Sequence, residues 1–305
     1  MDFKTISRMT LGTVQLGMDY GIANKEGKPD LKKAFSILDK ALEYGVNCLD
    51  TAAGYGDSEK VIGEYLKSGG ISRDSIFIST KFKLGEIKEN EAQRELIESV
   101  ERSLVNLKTD YVDFILLHDA KEYLKYKVQI DSAISKLKNL GLIRNAGASG
   151  YSLQEIEPLL ENDMYDAFQM PVNILDQRNS DANMKERLGG KTVFARSIYL
   201  QGLFFMEPEE LKGNLSEISG YITKIRELAS GYGVSTAQLA VCYVSSLGYV
   251  TSLVIGADNP RQVAENARMV EEQTFGTDRM KEIRKELKGA PDWLFYPWLW
   301  DKMKG

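Results

Sequence analysis

The sequence predicts an α/β fold of a single domain, a (β/α)8 barrel of the TIM type. Short apolar runs without polar alternation are separated by longer segments of helical periodicity. This is the pattern of parallel strands that are buried on both faces and linked by helices. Strand ends near Asp50, Lys81, His118 and Ser149 are spaced 31, 37 and 31 residues apart. The regular spacing favours a closed barrel, although an open, doubly wound sheet is also compatible with the pattern.

The predicted strands are eight short segments in chain order: 10–14, 48–49, 76–78, 112–117, 143–148, 167–170, 193–195 and 253–255. Apolar residues recur at helical spacing between them, for example within 34–42, 96–107 and 237–244. The long interval between Ala195 and Leu253 has room for two helices. Helix boundaries are indicated by residue types that favour the start or the end of a helix: Asp30, Ser58, Ser152 and Asp181 as N-caps, and Gly45 and Gly141 at C-terminal ends.

Composition excludes several classes of function. The 305 residues include 39 Lys and Arg, 44 Asp and Glu, one His and two Cys, for a formal net charge of −5. A mildly acidic chain with dispersed charges is not expected to bind nucleic acid. One His and two Cys provide neither a multi-His metal site nor a disulfide framework. We find no membrane-length apolar run and no signal-peptide core in the first ten residues, so we expect a metal-free, cytoplasmic protein.

Four polar residues lie at or just beyond the ends of predicted strands. Asp50 and Tyr55 follow the second strand, Lys81 closes the third and His118 closes the fourth. Each has an ordinary structural explanation, such as a helix cap, a solvated strand end or a packing histidine. Because the carboxyl ends of all barrel strands meet at one face, however, the four side chains are expected to converge there. We therefore predict a catalytic site of Asp50, Tyr55, Lys81 and His118.

This group of side chains is suited to protonating a carbonyl oxygen. A buried ammonium beside a phenol favours the phenolate, and a carboxylate keeps the ammonium charged. Tyr55 would then act as a general acid, with Lys81 and Asp50 tuning it and His118 orienting the carbonyl oxygen. Protonation alone does not form an alcohol, so the chemistry also requires a hydride donor.

Three segments carry a resemblance to a known family: DTAAGYGDSE at 50–59 with Gly63, STK at 79–81 and LLH at 116–118. They resemble the signatures of the aldo-keto reductases in order and spacing, and the resemblance extends from Leu11 to about Asn266. It implies a (β/α)8 barrel, bound NAD(P)H without metal, and reversible reduction of an aldehyde or ketone. It also implies that Tyr55 is the proton donor.

The resemblance further implies a set of cofactor-binding residues. Ser149 and Gln169 correspond to the residues that flank the nicotinamide carboxamide. The others correspond to the pyrophosphate loop and the adenosine end: Ser197, Leu200 and Gly202, then Gly256, Asp258, Gln262, Glu265 and Asn266. Arg196 stands where an aromatic residue commonly stacks on the nicotinamide, and its guanidinium could stack there or could face solvent or an acidic neighbour. Gly150 stands where Asn is common. Relatives that prefer NADP carry Lys or Arg at the positions of Gly256, Asp258 or Gln262, so we expect NADH to be usable or favoured.

The substrate and the C-terminal segment are less constrained. A sugar-derived carbonyl is one expectation, with Tyr20 or Met18 near the pocket. The aromatic tail, about 289–305, could close over the site, pack on the barrel or contact a second subunit, and packing is favoured. We treat 1–305 as one domain and leave the oligomeric state open. The alternative function is a non-catalytic NAD(P)-binding redox sensor or regulatory subunit.

Overall fold

Eight parallel strands form a closed barrel in the computed structural model, which describes residues 5–24, 26–179, 183–272 and 274–300. Each strand pairs with the next in sequence, and the last pairs with the first, so the predicted closed barrel is confirmed and the open sheet is wrong. The strands are β1 (Met9–Gly12), β2 (Cys48–Asp50), β3 (Phe77–Phe82), β4 (Val112–Leu117), β5 (Ile143–Ser149), β6 (Ala167–Pro171), β7 (Thr192–Arg196) and β8 (Ser252–Gly256).

Helices connect the strands and cover the outside of the barrel. In the described part of the chain they are α1 (Val14–Gly17), α2 (Leu31–Glu43), α3 (Ser58–Lys67), α4 (Glu89–Leu107), α5 (Glu122–Asn139), α6 (Leu153–Leu160), α7 (Met184–Arg187), α8 (Ser219–Gly231), α9 (Thr236–Ser245), α10 (Pro260–Glu272) and α11 (Thr277–Glu286). The two helices expected between β7 and β8 are present as α8 and α9. No helix among these residues is both long and apolar enough to cross a membrane.

The predicted helix boundaries have mixed outcomes. Asp30 caps α2, because its side chain accepts from the backbone N–H of Lys33, and Gly45 and Gly141 have the left-handed φ angles of +75° and +72° expected after helices. Ser152 precedes α6 but makes no capping bond. The prediction for Ser58 is wrong, because this residue lies inside α3 and its hydroxyl donates to the Thr13 carbonyl. Asp181 lies outside the described residues, as do 1–4 and 301–305.

Alternation along the strands determines which side chains reach the site. A small buried cluster of Cys48, Phe114, Leu116, Ala167 and Phe194 is separate from the main core between sheet and helices. Side chains two residues apart on a strand point to the same face. The residues two positions after Cys48, Leu116, Ala167 and Phe194 therefore form the next layer towards the carboxyl end of the barrel. That layer includes the predicted site residues Asp50, His118, Gln169 and Arg196.

The described part of the C-terminal tail packs against the barrel. Leu294, Phe295 and Trp300 are buried in the main core, and the Trp300 indole donates to the Leu294 carbonyl at 2.9 Å. Trp298 instead remains 62% exposed. The tail is thus fixed in place by three apolar anchors, with one indole left at the surface.

Candidate active site

Asp50 and Lys81 form a buried ion pair at the carboxyl end of the barrel. The Lys81 ammonium lies 2.8 and 2.7 Å from the two Asp50 carboxylate oxygens and donates to the Thr51 carbonyl at 2.9 Å. Its side chain has no exposed surface, and that of Asp50 is 4% exposed. Burial alone disfavours the ammonium, but the Asp50 carboxylate and the Tyr55 phenol outweigh it and raise the pKa of Lys81. Lys81 is therefore charged at any physiological pH.

Tyr55 and His118 lie beside this pair. The Lys81 ammonium is 4.9 Å from the centre of the Tyr55 ring, and the rings of Tyr55 and His118 meet edge to face at 5.8 Å. Burial, reinforced by the positive charges of Lys81 and Arg196, lowers the pKa of His118 to about 3. The imidazole is therefore neutral near pH 7 and can donate or accept a hydrogen bond without carrying charge.

A cavity of about 690 Å³ opens above these residues. Asp50, Tyr55 and His118 line it, while Lys81 lies beneath them. Tyr20 also lines the cavity, as one of the two residues expected near the substrate, whereas Met18 is 40% exposed and does not. Burial raises the pKa of the Tyr20 phenol to about 12. The structure thus brings the four predicted catalytic residues together at one end of one cavity.

Ser149 and Gln169 lie on the wall between the ends of β5 and β6. Both are buried and line the cavity, and the Gln169 amide donates to Asp50 at 2.8 Å. Gly150, which stands where relatives commonly have Asn, packs on α6, because an added Cβ would lie 2.8 Å from the Ile156 side chain. A side chain at this position would therefore require α6 to shift.

The loop after β7 has an unusual backbone. Ser197, Leu200 and Gln201 have φ angles of +62°, +45° and +56°, and Gly202 has +90°. Ser197 and Gly202 line the cavity as predicted. Leu200 does not line it, because its side chain is 2% exposed and packs in the core, so its predicted part in cofactor binding stays a prediction for the loop backbone. Its part in the loop is to fill the space below the turn.

The far end of the cavity is formed by β8 and the start of α10. Gly256, Asp258, Gln262, Glu265 and Asn266 all line it. The Asp258 carboxyl has a buried oxygen without a hydrogen-bond partner, and burial raises its pKa. The neighbouring cation Arg261 points outward, 87% exposed, and pairs with Glu265 at 2.7 Å. This end of the cavity therefore presents an acid and no inward-facing base among the described residues.

The predictions missed several polar residues of the cavity, of which Gln15 and Tyr199 are the most informative. Gln15 in α1 has a buried, unpartnered carbonyl oxygen, and an added Cβ on Gly256 would lie 2.4 Å from its amide nitrogen. Tyr199 donates from its phenol to the Asn266 side chain at 2.8 Å. Gln15 directly follows the predicted strand 10–14, and this position could have identified it as a site residue. Nothing in the local sequence indicates the role of Tyr199, because its contact joins residues 67 apart.

Arg196 is held by an aromatic side chain at the edge of the cavity. Its guanidinium stacks over the Tyr151 ring at 4.4 Å, and Tyr151 in turn contacts the rings of Tyr296 and Trp298 at 5.1 and 5.2 Å. Arg196 also lines the cavity. The aromatic tail thus reaches the active-site wall through Tyr151. Among the described residues, no group of three or more His, Cys, Asp or Glu side chains is placed to hold a metal ion.

The Aldo/keto reductase family model matches residues 8–288, so the chain belongs to the aldo/keto reductase family. Membership of this family supports an NAD(P)-dependent oxidoreductase activity.

Individual relatives agree with that assignment. The holo form of the aldo-keto reductase AKR11C1 from Bacillus halodurans has 26% sequence identity, a TM-score of 0.77 and 93% coverage of both chains. D-arabinose 1-dehydrogenase of Saccharomyces cerevisiae is 32% identical over 61% of this chain and 58% of its own length. The NADH-specific methylglyoxal reductase of Escherichia coli is 25% identical over 93% and 96%.

Proposed function

We propose that this chain reduces an aldehyde or ketone to the alcohol, reversibly and with NAD(P)H, and that Tyr55 supplies the proton. The observation that carries the proposal is the position of Tyr55 in the cavity, directly beside the buried, charged Lys81. A cation near a phenol stabilises the phenolate that remains when the proton leaves. Asp50 keeps that cation fixed and neutralises it while the phenol is protonated.

The neutral state of His118 indicates which residue would donate the proton and which would bind the carbonyl oxygen. An imidazole with a pKa of about 3 is not in its imidazolium form near pH 7, and its remaining N–H is too weak an acid to protonate the carbonyl oxygen, so it is unsuited to act as the acid. It can still hydrogen-bond the carbonyl oxygen and hold it towards the Tyr55 hydroxyl. Tyr20 has no such adjacent ammonium, and its raised pKa disfavours proton release. Tyr55 is therefore the acid of the proposal.

The rest of the cavity suits a dinucleotide. Ser149 and Gln169 would hold the carboxamide, Ser197 and Gly202 the pyrophosphate, and Asn266 and Glu265 the adenine. The unpartnered oxygens of Gln15 and Asp258 provide buried acceptors for ribose or amide donors. When bound, reduced nicotinamide supplies the hydride. The residues of the chain orient the carbonyl, exclude water and move the proton at the Tyr55 hydroxyl.

We propose further that NADH is favoured over NADPH. The Asp258 carboxylate would repel a 2′-phosphate but can accept from a ribose hydroxyl. Arg261, the cation nearest in sequence, is turned outward and paired with Glu265. Michaelis constants for the two cofactors test this proposal, and a constant for NADPH far below that for NADH would refute it.

The test of the reaction is oxidation of NADH and NADPH against a panel of aldehydes and ketones. The panel should include methylglyoxal and pentoses, the substrate classes named for two relatives. We expect turnover by wild type and its loss in Tyr55→Phe. Tyr232→Phe is the matched control, because that phenol bonds Glu282 outside the cavity. Cofactor binding without multiple turnover of any carbonyl would instead favour the non-catalytic sensor.

A further inference from the structure

Arg196 introduces a positive charge into the substrate end of the cavity. It is the last residue of β7 and follows Phe194 of the barrel interior by two positions, so its side chain points into the same layer as Asp50 and His118. Of the described residues that line the cavity, it is the one Lys or Arg. The cavity therefore contains a cation that the proposed reaction does not use.

No acidic group neutralises this cation. Within the described residues, no carboxylate lies at ion-pair distance from Arg196, and one weak hydrogen bond connects it to the Ser197 hydroxyl at 3.3 Å. The nearest cavity acid, Asp50, is already paired with Lys81. A guanidinium has five N–H donors, so most of the donors of Arg196 are available to a ligand.

The side chain is also held in position in advance. Tyr151 stacks on its guanidinium, and the rings of Tyr296 and Trp298 contact Tyr151 in turn. Tyr296 is fixed by Arg178, which donates to its phenol at 2.9 Å. A preorganised guanidinium loses little conformational entropy when it binds a planar anion. Such an arrangement is typical of a recognition site.

We infer that the substrate is a carbonyl compound with an anionic group, a carboxylate or a phosphate, which Arg196 binds while the carbonyl faces Tyr55 and His118. This inference rests on the proposed function. The molecule as a whole carries a net charge of −5 and does not attract anions at long range, so recognition of an anionic substrate is local to Arg196. The charge of Arg196 acts to lower the pKa values of both His118 and Tyr20, and both residues line the substrate end of the cavity.

The test compares matched pairs of substrates that differ in charge. Succinate semialdehyde is paired with butanal, and glyceraldehyde 3-phosphate with glyceraldehyde, each at saturating reduced cofactor. We expect kcat/KM to favour the anionic member of at least one pair by roughly 10- to 100-fold, the range for a hydrogen bond to a charged group. The pair that shows the larger preference identifies the anion as carboxylate or phosphate.

Variants then assign the preference to Arg196. Arg196→Gln should reduce the ratio of kcat/KM for the anionic substrate to kcat/KM for its neutral partner by about the same factor, mainly through KM. Arg196→Lys should reduce this ratio less, because the charge remains. Tyr151→Leu should lower it partially through loss of positioning. Arg144→Gln is the matched control, because Arg144 also stacks on a tyrosine, Tyr111 at 3.9 Å, but at the start of β5 outside the cavity.

The outcomes are distinct. Equal efficiency on both members of each pair in wild type would overturn the inference and leave the proposed function intact. A ratio unchanged in Arg196→Gln, with weaker NADH and NADPH binding measured by protein fluorescence, would assign Arg196 to the cofactor pyrophosphate and also overturn it. If neither member of either pair reacts and the wider carbonyl panel is also inert, the proposed function fails and the inference fails with it.

Discussion

The buried pair of Asp50 and Lys81 gives the sharpest prediction, because it separates stability from chemistry. Lys81→Met keeps the unbranched apolar stem of the side chain and removes the ammonium, which donates three hydrogen bonds of 2.7–2.9 Å. Asp50, 3% exposed, is then an uncompensated carboxylate that retains the Gln169 amide as a partner. Breaking a buried pair by removing one partner costs about 3–5 kcal/mol of unfolding free energy.

Asp50→Asn is expected to cost a similar amount, because it leaves the ammonium buried without its carboxylate. The double variant Asp50→Asn/Lys81→Met removes both charges, so its loss should be only about 1–2 kcal/mol, from the Thr51 carbonyl left without its donor. The double-mutant cycle should therefore give a coupling energy of at least about 4 kcal/mol, larger than contacting residues usually show. All three variants should nevertheless lose turnover by about 100-fold or more, because each removes the charged Lys81 from beside Tyr55 or its anchor.

Shifts in the urea midpoint measure stability, and oxidation of reduced cofactor measures turnover. Losses that add in the double variant would refute the coupling. A double variant that regains both stability and turnover would refute the role of Lys81 in the chemistry.

Three further outcomes follow from the structure. His118 has a pKa of about 3 in the folded protein against an ordinary value near 6.5. As the pH drops, the unfolded chain therefore binds the proton first, and the free energy of unfolding falls between about pH 6.5 and pH 3 by at most about 1.4 kcal/mol per pH unit. Because the chain has one His, NMR of labelled histidine measures this pKa directly, and a value near 6.5 would contradict the assignment. Asp258→Ser should raise kcat/KM for NADPH relative to NADH by roughly 10- to 100-fold, because unit charges about 5 Å apart interact with about 3 kcal/mol at an effective dielectric of 20. An unchanged ratio of the two kcat/KM values would show that Asp258 does not determine the cofactor preference. Gly147→Ala should prevent stable folding in thermal melts, because the added Cβ would lie 1.5 Å from the Ala167 carbonyl oxygen, and a melting temperature near that of wild type would contradict this.

Most of the fold could be predicted because strand alternation and closure depend on local patterns. The strand ends at Asp50, Lys81 and His118 were identified from apolar runs that stop at a polar residue, and parallel closure then brings them together. The predicted ends of the strands were less accurate. The predicted β1 extended to Val14, but the strand ends at Gly12, where the chain turns into α1 and the Thr13 N–H donates to the Asp50 carbonyl.

The errors at the site come from contacts between distant residues. The burial of the Leu200 side chain beneath the loop could not be predicted either, because it depends on the core that the rest of the chain forms. The stacking of Arg196 on Tyr151 depends on the tail, which returns to the site more than 90 residues later. Ser58 had the residue type of a cap, but its hydroxyl is engaged by Thr13, which α1 brings alongside.

The most direct test of the central claim is the rate of hydride transfer in a single turnover of Tyr55→Phe, measured with cofactor and a carbonyl substrate already bound. Tyr55 lines the cavity, and its ring centre lies 4.9 Å from the Lys81 ammonium. We predict a rate about 100- to 10,000-fold below wild type, the range for loss of a general acid, with an unchanged Kd for the cofactor. A single-turnover rate within about tenfold of wild type would show that the proton comes from another group, and would contradict the role proposed for Tyr55.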